Sequence, residues 1–152
     1  MTRNSAREIA VQIIYGADLI ESSYKDFADN LLSEEYYSTL AEDSELYSEY
    51  PDDWQKEYIL RVVSSAWEHK DEIDGIITKY SKTWSLNRIS GTALAVIRCA
   101  ICEILYMDDI PDAAAINSAV DISKKYDDAA TVSFINGVLG NVVRCEKENK
   151  GE

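Results

Sequence analysis

Apolar residues recur at helical spacing along most of the chain. The clearest case is Arg88–Met107, RISGTALAVIRCAICEILYM. Ile89, Ala93, Val96, Ile97, Ala100, Ile101, Ile104 and Leu105 fall at the i, i+3, i+4, i+7 positions of one helical face. Leu94, Ala95, Cys99 and Cys102 fill most of the remaining faces. A helix apolar nearly all round needs neighbours nearly all round, so this stretch is predicted to be a central core helix. Arg98 and Glu103 interrupt it. Those charges argue against a membrane span, as does a length short of the ~20 apolar residues a bilayer requires.

The same spacing predicts the other elements. A first helix runs from about Asn4 or Ser5 to Ile20, with Ala6, Ile9, Ala10, Ile13, Ile14 and Ala17 on its apolar stripe. A short helix is expected around Phe27–Leu40, then an acidic loop over Glu42–Asp53, with Asp52 or Asp53 as an N-cap. From Trp54 to about His69 the stripe is Trp54, Tyr58, Ile59, Val62, Val63, Ala66 and Trp67; Asp71–Tyr80 continues as another helix. In the linker SKTWSL, Ser85 can cap a turn that Trp84 and Leu86 seat against the core. Pro111 suits a helix start, and Ala115, Ile116, Ala119, Val120 and Ser123 line one face beyond it. A loop over Asp127–Thr131 precedes a last helix, Thr131–Glu148. The expected class is all-α, a bundle of about seven helices.

At 152 residues the chain suits one domain with a substantial core. Its net charge of −13 is local: residues 18–57 hold 13 acids and 2 bases, a net of −11, whereas residues 1–17 sum to +1 and residues 58–152 to −3. The total therefore does not dismiss an anionic partner, although it predicts weak non-specific binding to nucleic acid. Arg3 and Arg7 are four apart and share a helix face near an N-terminus, where arginine opposes the macrodipole. Cys99 and Cys102 form a C-x-x-C inside a helix with no second pair, short of the four ligands of a zinc site. Free core thiols, no metal and no cofactor are expected, in a reducing cytoplasm. The start, MTRNSAREIA, lacks an apolar signal region. No Gly-rich cofactor loop and no nucleophile–base set point to an enzyme.

Three segments together resemble the NusB family of bacterial transcription antitermination factors. They are Ala6–Tyr15 (AREIAVQIIY), Trp84–Pro111 with its W-S-L-x-R-I opening and D-I-P ending, and Ala115–Tyr126 (AINSAVDISKKY) followed by Phe134–Leu139 (FINGVL). Residues 21–58 carry none of the resemblance. It implies an all-helical fold of two helical subdomains, roughly residues 1–80 and 81–148. It also implies binding of boxA-type RNA together with NusE, a ribosomal small-subunit protein. That complex supports RNA polymerase on ribosomal RNA operons. Carried over residue by residue, the RNA contacts would be Arg3, Arg7, Gln12 and Tyr15 on helix 1, and Thr131, Ser133, Phe134 and Asn136 near FINGVL. Ser133 stands where the family usually has lysine, and Ala93 where it usually has an acid. The resemblance admits a homodimer. The alternative is a helical protein-interaction module with little RNA affinity. Guanidinium groups suit phosphates and aromatic rings suit unstacked bases. A solvated Arg7 should therefore weaken RNA binding when removed while leaving folding nearly unchanged.

Overall fold

Eight α-helices account for most of the described residues, 1–82 and 84–147, of a computed structural model. They are α1 (Arg3–Leu19), α2 (Tyr24–Leu31), α3 (Glu34–Leu40), α4 (Asp53–Glu68), α5 (Lys70–Tyr80), α6 (Gly91–Tyr106), α7 (Asp112–Tyr126) and α8 (Ala129–Asn141). Short 3₁₀ turns occupy Glu45–Tyr47 and Leu86–Arg88, and a π-helical stretch, Val142–Lys147, continues α8. The fold class is all-α, with no strand among the described residues. No helix among them is long and apolar enough to cross a membrane.

The all-round apolar helix sits at the centre. α6 packs against α1, α4, α5, α7 and α8. From Ala93 to Leu105 every residue but Leu94 is buried, Arg98 and Glu103 included. Ser90 caps α6 by accepting from the Ala93 amide at 3.1 Å. Ser85 was the expected cap for the turn before it, but makes no side-chain capping bond. Asp52 caps α4 in a reciprocal capping box with Gln55.

Several boundaries differ from the sequence expectation. The segment Phe27–Leu40 forms two helices, because Ser33 accepts from the Tyr36 amide and starts a new one. α1 ends at Leu19, and Glu21 then takes a left-handed conformation at φ 56°. The predicted loop before the last helix shrinks to Asp127 and Asp128. Asp128 caps α8 through the Thr131 amide at 2.8 Å, which draws Thr131 into the first turn and buries it. α8 ends at Asn141, and the expected end at Glu148 lies outside the described residues.

The stripes also shift. Trp54 is 79% exposed, and Trp67 is exposed although it meets Tyr24 at 5.0 Å between ring centroids and the Lys70 ammonium at 5.7 Å. α1 begins at Arg3, whose guanidinium lies over Tyr58, so Trp54 one turn earlier on α4 has no helix to cover it. On α7 the buried positions are Ala115, Ser118, Ala119, Ile122 and Ser123. Ile116 and Val120, expected inside, are only half-buried. α7 is turned so that Ser118 reaches a buried arginine, described below. The small residues around it suit the close approach of α7 to α6.

Ile101 is fully buried at the middle of α6. Ile101→Ala is expected to lower unfolding stability by ~2–5 kcal/mol, measured by urea denaturation. A loss under about 1 kcal/mol would mean that the site collapses easily around the smaller side chain.

Candidate nucleic-acid interface

Arg3 and Arg7 do share a face, as their spacing requires, but that face lies against α4. Their guanidinium carbons sit 4.5 Å and 5.9 Å from the centroid of the same ring, Tyr58. Arg3 is exposed above the ring, whereas Arg7 is only 4% exposed. Arg7 Nε donates to Glu103 Oε1 at 2.7 Å and Nη2 donates to Oε2 at 2.9 Å, a two-pronged pair. Its Nη1 also donates to the Ser118 hydroxyl. Burial works against the charge, but the Glu103 bonds and charge outweigh it and hold the Arg7 pKa above its usual value. The expectation of a solvated Arg7 is thus corrected. An acid placed on an otherwise apolar helix needs a partner, and Arg7 supplies it.

One residue on, Glu8 collects Lys125 Nζ at 2.7 Å and the Tyr126 hydroxyl at 2.9 Å, binding α1 to the end of α7. Gln12, half-buried, meets the same tyrosine hydroxyl. Burial and Glu8 push the Tyr126 pKa up to about 12. Tyr15 is half-buried against the start of α6: a Cβ on Gly91 would come within 2.8 Å of its ring, so glycine is what permits this approach. Ser90 and Thr92 donate to the Asp127 carboxylate at 2.8 Å and 3.3 Å, fixing the α7–α8 corner beside them.

The residues predicted on α8 do not converge. Ser133 and Asn136, three apart, line an open groove of about 780 Å³ between α7 and α8, with Asn117, Val120, Lys124 and Val132. Phe134 turns to the other flank. It stacks on Trp84 at 4.6 Å between centroids and lines a groove of about 650 Å³ between α5 and α8. Thr131 is buried. The predicted residues therefore cover four surfaces: Arg3 over α4, Gln12 and Tyr15 along α1, Ser133 and Asn136 on one flank of α8, and Phe134 on the other.

Cation pairing decides what is available to an anion. Among the described residues, Arg3, Lys56, Lys82, Arg88, Lys124 and Arg144 make no ion pair. Sequence reasoning named only Arg3 of these. The missed signal is a stretch without acids: residues 75–102 hold Lys79, Lys82, Arg88 and Arg98 and no Asp or Glu. Cys99 and Cys102 are buried and free, with Sγ contacts to Glu103 and to the Val62 carbonyl. Burial pushes both thiols up, Cys102 to about 12. Cys145 is free and exposed.

A family model described as the NusB family matches residues 4–144. The transcription antitermination protein NusB of Acetivibrio thermocellus is 41% identical over 146 residues, which cover 96% of this chain and 91% of that protein. Its namesake from Thermoanaerobacter sp. strain X514 is 38% identical over 152 residues, 100% of this chain and 97% of that one. Among solved structures, T. maritima NusB superposes with a TM-score of 0.79 at 25% identity, covering 98% of each chain. A structure of antitermination factors NusB and NusE in complex with double-stranded RNA matches with a TM-score of 0.74 at 25% identity, covering 93% of this chain and 96% of that one.

Because Arg7 is half of a buried pair, Arg7→Ala should cost about 3–5 kcal/mol, leaving Glu103 charged and alone in the core. An Arg7→Met/Glu103→Leu double variant should recover most of that loss. Thermal and urea unfolding of the single and double variants measures both. Equal stability of wild type and Arg7→Ala would show that the pair contributes nothing.

Proposed function

The chain belongs to the NusB family, and from that premise we propose that it is a transcription antitermination factor that binds boxA-type single-stranded RNA together with NusE. In this reading it supports RNA polymerase on ribosomal RNA operons and works in the cytoplasm as a binding factor, not an enzyme. The observation that carries the reading is similarity along nearly the whole chain to antitermination proteins, together with the likeness to a family member crystallised with NusE and RNA.

In this reading Arg3 is the cation on α1 that reaches the phosphates, since its guanidinium is exposed and makes no salt bridge. Tyr15 offers a ring edge beside α6. Gln12, Ser133 and Asn136 supply neutral donors and acceptors for base edges, and Phe134 an aromatic surface. Arg7 and Thr131 act at one remove. Arg7 holds α1 at its angle on α6 and α7, and Thr131 closes the first turn of α8. The net charge of −11 over residues 18–57 opposes RNA at long range. The free chain therefore binds RNA weakly and needs its protein partner.

Titration of boxA-type RNA into the purified chain, with and without NusE, tests this. Weak binding alone and tighter binding with NusE are expected at physiological salt. Arg3→Ala should weaken the ternary complex and flatten the slope of log affinity against log salt by about 0.7, the loss of one single-strand phosphate contact. NusE binding with no RNA affinity in either mixture would leave the protein-interaction module as the function.

A further inference from the structure

Of the residues lining the groove between α5 and α8, only Phe134 is among the contacts proposed above. Lys79, Tyr80 and Lys82 form one wall, and Phe134, Val138 and Asn141 the other. Its aromatic residues are Tyr80 and Phe134, and Phe134 is held in a stack with Trp84, their planes inclined by 28°. Gly137 also lines it, and a Cβ there would meet nothing within 4 Å, so the groove is open along its α8 side. Its volume, about 650 Å³, is ample for a nucleotide-sized group.

Charge separates this groove from its counterpart on the opposite flank of α8. The α7–α8 groove is lined by one lysine, Lys124, and two acids, Asp121 and Asp127. The α5–α8 groove is lined by two lysines and no acid; its α5 wall belongs to the acid-free stretch 75–102, and the acid that reaches its edge is Glu146. Lys82 and Arg88 are exposed and make no ion pair among the described residues. Lys79 is 58% exposed and donates to Glu146 at 2.7 Å, as does the Tyr80 hydroxyl. That bond takes one of three ammonium donors and leaves the others to solvent. Exposed ammonium groups beside aromatic rings in an open groove are what proteins use to hold a single strand: charge follows the backbone and rings take the bases.

We propose that the α5–α8 groove is a second single-stranded RNA subsite, in which Lys79 and Lys82 engage backbone phosphates and a base seats against Phe134, which Trp84 supports by stacking. This rests on the reading that the protein binds RNA. It shifts much of the electrostatic contact from the α1 arginines, one of which is buried, to the α5 side of α8.

The test uses the full chain with NusE and a boxA-type RNA, with affinity measured across a salt series. Two variants probe the groove by different means. Lys79→Ala/Lys82→Ala removes the charges; it should lower affinity about tenfold and flatten the salt slope by about 1.4, two phosphate contacts at about 0.7 each. Gly137→Leu fills the open side with an apolar chain; it should lower affinity while leaving the slope nearly unchanged. Helical circular dichroism should match wild type in both and melting should not fall, because the altered positions are exposed; Gly137→Leu should melt slightly higher, since leucine is a better helix former than glycine. Wild-type binding with unchanged affinity and slope in both variants would overturn the subsite and leave the proposed function standing. No RNA binding by the wild-type chain with NusE would overturn that function and the subsite with it.

Discussion

The Arg7–Glu103 pair is the constraint on which the packing of three helices depends. α6 is apolar almost everywhere, so a carboxylate within its buried run must be matched by a cation from another element. Arg7 meets it edge to edge, and the remaining donor takes the Ser118 hydroxyl. One guanidinium thereby fixes the rotation of α1 about its axis and that of α7 about its own. A planar fork sets direction as well as distance, which a lysine could not do.

The other charge on α6 repeats the device on different helices. Arg98 is buried and pairs in two-pronged fashion with Asp74 of α5, at 2.8 Å and 3.0 Å, and also with Asp18 near the end of α1. The Tyr24 hydroxyl reaches the same Asp18 at 2.8 Å, which brings in α2. The two charged interruptions in the central helix are thus its two points of buried ion pairing. Hydrophobic burial is nearly indifferent to a helix's rotation when all its faces are apolar. Ion pairs are not.

This architecture consumes cations. Arg7 and Arg98 are buried in it, and Lys125 is engaged by Glu8. An acidic chain has few left for an anionic partner, so where the uncommitted ones lie matters more than the net charge. Arg3 is exposed above Tyr58 with no ion pair among the described residues, while Lys82 and Arg88 flank Trp84 in a stretch that contains no acid. The proposed RNA surface is therefore divided between α1 and the flanks of α8.

The helices, their approximate spans and the place of α6 at the centre were legible in the sequence, because apolar spacing reports directly on which faces must be covered. Ile97, Ile101, Ile104, Ile135 and Leu139 are buried as that spacing requires. The motifs shared with the NusB family were legible too, since they are runs of residue types in order. The sequence did not show which charges were spent. Arg3 and Arg7 look alike as a pair four apart, yet one is exposed and the other buried against Glu103, 96 residues away. Ser133 and Phe134 are adjacent, yet they face different grooves, because successive helix positions are rotated by about 100°. Ile116 and Val120 gave way to Ser118 and Ile122 on the buried side of α7 once a polar contact set its rotation. Local pattern determines what each helix is. Long-range pairing of a few buried charges determines how the helices are turned, and with that which side chains are left for function.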